Sequence, residues 1–168
     1  KNITKTIDST ELNISKFDVI TCNFAIQFLM KNNITFSGFI KNIEKYLKKD
    51  GILILLYFNG ENVFNLLQSN NEIKYLNTEG DSIFKITKLY ESKGKILKYG
   101  QKISVDINSI GCHEEYLVNY NNLVDKLKKC NINLIETKPF SKIYTEIELS
   151  NYEKSFSYLN NYSIFKKY

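Results

Sequence analysis

The run "ILILLYF" at residues 52–58 constrains this chain most. It is apolar throughout, with no alternation, which suits a strand covered on both faces inside a parallel sheet. The stretch before it reads as a helix over 35–49. Phe36, Phe39, Ile40, Ile43 and Leu47 recur at spacings of three and four and make one apolar face, with lysines on the other. Gly51 falls where a helix C-terminal stop belongs. Upstream, "FDVITC" at 17–22 is short, apolar and β-branched, so a buried strand is expected there, followed by a short helix at 24–30. Strand, helix, strand at this length is a βαβ-type unit and implies an α/β fold with a parallel sheet.

The second half changes character. "IFKITKLYES" and "ILKYGQKISVDI" alternate and predict two antiparallel strands around "SKGK". "YNNLVDKLKKCN" at 120–131 reads as a short amphipathic helix, "INLIETKPF" as a strand ending at the single proline, Pro139, and "YSIFKKY" as a last strand. No internal repeat or linker interrupts residues 1–168, so one domain is expected.

Composition narrows the function classes. A net charge of +5 permits a polyanionic partner without demanding one. The lysine face at 41–49 reads as a solvated helix face. The cysteines Cys22, Cys112 and Cys130 are odd in number and form no CxxC, the pattern of free thiols in a reducing, intracellular compartment. One histidine, His113, gives no recognisable metal-ligand spacing, so no metal is expected. No apolar run approaches the ~20 residues of a membrane span. The chain begins with Lys1 rather than Met, which reads as a piece of a longer polypeptide.

In open α/β sheets, ligands bind beyond the carboxyl ends of the parallel strands. That rule selects Thr21-Cys22-Asn23 and Tyr57-Phe58-Asn59-Gly60. Asn59 reads as a helix cap before it reads as a ligand contact. There is no GxSxG, P-loop or GxGxxG, so these patterns alone name no reaction.

Four segments, in order, carry more. They are "FDVITCNFAIQFLMKN", "IKNIEKYLKKDGILILLYFNGENVFNLL", "EEYLVNYNNLVDKLKKCNINLIETKPF" and "KSFSYLNNYSIFKK". Together they resemble the mRNA cap guanine-N7 methyltransferases, especially the forms found in large DNA viruses. The resemblance implies the later part of a Rossmann-like sheet that binds S-adenosylmethionine, with a cap pocket beside it. The family's glycine-rich cofactor loop would lie upstream of Lys1. Asp8 and Ser9 match a cofactor-contacting step, and Asn23 stands near the cofactor where the family has Gln. Gln27 and Phe28 stand at the cap guanine where the family has His and Tyr. Phe58 lies beside the cap, Glu115 matches the acid that reads the guanine edge, and Tyr162 matches a late Tyr of the same pocket, with Tyr158 as the other alignment.

Four of these positions also have a plainer reading. Asp8 could cap a helix or shape a turn, Phe28 could be core, Glu115 could be a solvated acid, and Tyr162 could be strand packing. The implied reaction is methyl transfer from S-adenosylmethionine to guanine N7 of capped RNA, with no catalytic acid or base. The implied partners are capped RNA and other capping-enzyme domains or a stimulatory subunit, in the nucleus, or in the cytoplasm for a virus. The alternatives are a non-catalytic methyltransferase-like module that binds RNA or a partner, and a small-molecule methyltransferase of the same fold.

Overall fold

The computed structural model describes residues 15–91, 94–143 and 148–168. Asp8 and Ser9 lie outside them. Two four-stranded sheets form the frame. The first has strand order β1 (Phe17–Asn23), β2 (Leu47–Phe58), β8 (Asn160–Lys167), β7 (Ile132–Pro139). Only β1 and β2 run parallel; β8 is antiparallel to both β2 and β7. The second sheet is an antiparallel meander of β3 (Glu72–Leu76), β4 (Ser82–Lys88), β5 (Lys102–Ile107) and β6 (Gly111–Tyr116). The chain is therefore α/β, with the antiparallel character of its second half collected mainly in a sheet of its own.

The crossover from β1 to β2 passes through α1 (Ile26–Leu29) and α2 (Asn33–Tyr46). The Asn32 side chain caps α2 by accepting from Thr35 N. Phe36, Phe39, Ile40 and Ile43 of α2 are buried with Leu53, Leu55 and Tyr57 of β2 and with Leu123 and Leu127 of α4 (Tyr120–Lys128). Tyr57 reaches through this core to a buried hydroxyl chain, 2.7 Å from Ser163 Oγ, which in turn lies 2.9 Å from Thr137 Oγ1. A second core joins α3 (Gly60–Ser69) to the meander through Val63, Phe64, Leu67, Phe84, Ile86 and Val105.

Four expectations need correction. The helix ends at Tyr46 and the chain is already extended from Leu47, so Gly51 lies within β2 and is no helix stop. Its requirement is space, since a Cβ there would sit 2.9 Å from Lys48 O and 3.1 Å from Asp18 O. The strand β1 is not buried: Phe17 and Val19 are 45% and 51% exposed, because among the described residues β1 is the sheet edge and only its Ile20 and Cys22 face packs on the core. In the same way, residues 52–58 are fully buried on the Leu53–Leu55–Tyr57 face, while Ile52, Ile54 and Leu56 are half-buried on the other. Of the two predicted meander strands, β4 and β5 pair antiparallel as expected. The stretch before Lys102 is loop, tied to α1 by Gly100 N donating to Met30 O at 3.0 Å.

Candidate active site

The carboxyl ends of β1 and β2 lead directly into the site. After Asn23 the chain reverses through Phe24 at φ +51°, a left-handed conformation unusual for a bulky residue, and Phe24 N donates to Leu56 O at 2.8 Å. That turn aims α1, with Gln27 and Phe28, at the second sheet. At the end of β2, Phe58 is followed by Asn59, whose side chain caps α3 by accepting from Asn62 N at 3.1 Å, the role favoured by its sequence context. Gly60 then lies against the backbone of Val118, just beyond β6, so closely that a Cβ would be 2.3 Å from Val118 O. This backbone-to-backbone contact holds the end of β2 against the end of β6.

Between these pieces is a cavity of about 430 Å³. Gln27 and Phe28 of α1, Phe58 of β2, Val105 and Ile107 of β5, and His113 and Glu115 of β6 line it. Phe24, Ile110, Phe140 of the 3-10 turn Phe140–Lys142, Phe156 and Ser157 of α5 (Asn151–Ser157), and Asn160 complete the wall. The lining is aromatic and apolar with a few convergent polar groups, the composition of a small-molecule site. Phe58 and Phe156 meet edge to face with centroids 5.5 Å apart, and Phe24 and Phe140 do the same at 6.2 Å.

The polar groups share one property. Glu115 is 4% exposed and Gln27 2%. Glu115 Oε1 lies 2.8 Å from His113 Nε2, and Glu115 Oε2 is buried with no hydrogen-bond partner in the structure. Gln27 Oε1 and Asn160 Oδ1 are likewise buried and unpartnered. The orientation of Asn160 follows from its amide nitrogen, which donates to the carbonyls of Phe156 and Ser157 at 3.2 and 3.1 Å and so turns the oxygen away. Three buried acceptors, each on a residue that lines this one cavity, lack donors. Each such group costs about 1–3 kcal/mol until a donor reaches it. Burial raises the Glu115 pKa above the ordinary carboxylate value, while the hydrogen bond from His113, its charge when protonated, and the Gln27 amide oppose that rise.

Of the residues selected from sequence, Gln27, Phe28, Phe58 and Glu115 therefore come together around one cavity. Phe28 is 44% exposed, which suits a cavity wall better than core. Asn23 is exposed at the carboxyl end of β1 and lines no cavity described here. Tyr162 lies elsewhere. It lines an adjoining cavity of about 380 Å³ with Ile54, Leu56, Phe140, Ile143 and Ser157, and its hydroxyl donates to Glu136. Phe140 and Ser157 are shared by the two cavities. The sequence reading missed Asn160 and His113. The available signal for His113 was its spacing of two from Glu115, which places both on one face of a strand.

The sequence profile of the mRNA (guanine-N(7))-methyltransferase domain matches residues 2–162. The chain belongs to this family. Among relatives, the "Probable mRNA-capping enzyme" of Acanthamoeba polyphaga mimivirus is 30% identical over 141 residues, 77% of this chain and 12% of that protein. A S-adenosylmethionine-dependent methyltransferase from Clostridium acetobutylicum superposes with a TM-score of 0.59 at 17% identity, covering 96% of this chain and 63% of that one. The CcbJ methyltransferase from Streptomyces caelestis gives 0.58 at 14%, covering 99% and 62%. These likenesses establish the methyltransferase fold for this member of the cap methyltransferase family. The chain spans a small part of the mimivirus protein and less than two thirds of either solved structure. No helix among the described residues is long and apolar enough to cross a membrane.

Proposed function

We propose that this chain forms the cap-reading part of an enzyme that transfers a methyl group from S-adenosylmethionine to N7 of the guanine cap of mRNA. The observation that carries the reading is the set of unpartnered buried acceptors, Glu115 Oε2, Gln27 Oε1 and Asn160 Oδ1, in one aromatic-walled cavity. Guanine presents donors, N1–H and the 2-amino group, on the edge remote from N7. A base held by that edge leaves N7 free. Adenine held in the same pose offers an acceptor at N1 and only a C–H at C2, and would leave the buried oxygens unpaired, which is the strongest form of discrimination available to such a site.

Phe28 and Phe58 supply flat apolar surface for the base, and base–aromatic stacking contributes about 1–3 kcal/mol per base. Guanine N7 is a lone-pair nucleophile at neutral pH, so no residue needs to remove a proton. The contribution of the protein is position and field. The Glu115 carboxylate lies where it offsets the positive charge that develops on the ring as N7 is alkylated, and alignment of reacting groups can supply up to ~7–11 kcal/mol.

S-adenosylmethionine, when bound, supplies an activated methyl group. The exposed Asn23 carboxamide at the carboxyl end of the parallel pair offers both a donor and an acceptor, and so fits the polar parts of that cofactor. The length of the mimivirus relative supports a domain that works within a larger capping protein, with capped RNA as substrate and other capping domains or a stimulatory subunit as partners. The three free cysteines support a reducing compartment inside the cell, the cytoplasm in a viral setting.

The test is methyl transfer from labelled S-adenosylmethionine to GpppA-capped RNA by the full-length protein, with Glu115→Ala beside it. N7 methylation that collapses in the variant is the expected result. An intact protein that neither transfers methyl nor binds the cofactor would instead be a methyltransferase-shaped binding module.

A further inference from the structure

Glu115 can read a donor edge only if one carboxylate oxygen is left free and the group is ionised, and His113 is placed to favour both. His113 precedes it by two residues on β6, so both side chains leave the strand on one face. Their cross-strand partners on β5 are Val105 and Ile103, both buried and apolar. The imidazole is confined further by Phe28, whose ring lies 6.0 Å away at an interplanar angle of 39°. Its Nε2 is 2.8 Å from Glu115 Oε1. With Glu115 ionised its oxygens only accept, so in that state Nε2 carries the hydrogen and Nδ1 is bare when the ring is neutral. Oε1 is thereby occupied, and Oε2 is left as the unpartnered atom.

We propose that His113 is a positioning residue of the cap site: it holds the Glu115 carboxylate with one oxygen engaged and the other free for the base. The assignment rests on the cap reading given above. Without His113, the buried carboxylate keeps only the Gln27 amide. It can then turn, and burial favours its protonated form, which offers a donor to the base where an acceptor is required. The side chain of His113 is 29% exposed, so it stands at the cavity rim and is not a core packing group.

The experiment is steady-state kinetics of the full-length protein on GpppA-capped RNA, with KM measured separately for RNA and for S-adenosylmethionine. Thermal unfolding is followed alongside. The variants are His113→Ala and His113→Gln, since a glutamine amide nitrogen can reach the place of Nε2. Loss of one hydrogen bond to a charged group predicts that His113→Ala raises the RNA KM by roughly 10- to 100-fold. The cofactor KM stays unchanged, and His113→Gln recovers most of the loss. An unchanged RNA KM in His113→Ala, with an active wild type, overturns the role of His113 and leaves the cap reading intact. So does an equal impairment of the two variants, with kcat lowered and both KM values raised alike, which would mark a structural residue. A wild type with no turnover of capped RNA fails the cap reading itself, and the role of His113 falls with it.

Discussion

Gly60→Ala tests whether the two sheets are held in register by the contact that builds the site. The added Cβ would lie 2.3 Å from Val118 O and 2.7 Å from Val118 N, against 3.4 Å for the near edge of ordinary contact. Both partners are backbone, so no rotamer change relieves the overlap, and the strands must part by about 1 Å. Overpacking of this kind costs about 1–3 kcal/mol, and a backbone clash belongs at the upper end. Alanine in place of glycine in a helix returns at most about 1 kcal/mol, and Gly60 is the first residue of α3. The net loss is then about 2 kcal/mol, a fall in Tm of roughly 4–8 °C for a chain of this size. The displacement also separates Phe58 from Glu115, and a misplacement of about 1 Å can cost ~100-fold in rate. Thermal unfolding by circular dichroism and kcat/KM on capped RNA measure the two effects. A Tm within about 1 °C of wild type with unchanged kcat/KM would show that the Gly60–Val118 contact does not hold the site together, because helix propensity would then have won over the clash.

Three further outcomes follow from the site. The Glu115 pKa is raised by burial, so cap affinity should fall on acidification at a pH above the ordinary glutamate value of 4.5. The stability linkage has the opposite sign: the raised pKa favours the folded state below the unfolded value, and that contribution is lost as pH rises through the folded one. Dissociation constants for GpppA measured against pH check this, and a Glu115→Gln protein should show a flat profile over the same range. Asn160→Ala should weaken GpppA binding by about 1–2 kcal/mol, the worth of one hydrogen bond to a buried acceptor, as read by calorimetry; unchanged affinity would remove Asn160 from the site. Asn59→Ala should cost about 1 kcal/mol in a denaturant titration by removing the α3 cap, and a loss confined to cap affinity would instead make Asn59 a ligand contact.

The parallel unit was legible because its signals are strong and local. The face of Phe36, Phe39, Ile40 and Ile43 is a 3.6-residue repeat, and residues 52–58 are apolar without break. The misreading of Gly51 came from taking a glycine after a helix as a stop, when the helix had ended five residues earlier and the glycine answers to close packing of β1 and β2. Strand β6 was hidden for a different reason. Its sequence, GCHEEY, has no apolar alternation, since it is the edge of its sheet and its inward side chains His113 and Glu115 line a cavity instead of a core. The strand that carries the most chemistry is thus the one that hydrophobic patterning describes least. Helix α5 did leave a readable trace, the capping box of Ser150 and Glu153. Asn160 left none, because asparagine is common throughout this chain and its role appears only when Phe156 and Ser157 fix its amide. Glu115, Gln27, Phe28 and Phe58 were selected by resemblance; their convergence on one cavity is a property of the fold.

The central claim is that buried acceptors read the donor edge of guanine. Its most direct test is the binding of GpppA against ApppA to the full-length protein by isothermal titration calorimetry. GpppA should bind at least about 100-fold more tightly, because adenine held in the same pose leaves Glu115 Oε2 and its neighbours unpaired. Equal affinities would contradict it, since aromatic walls alone stack either base.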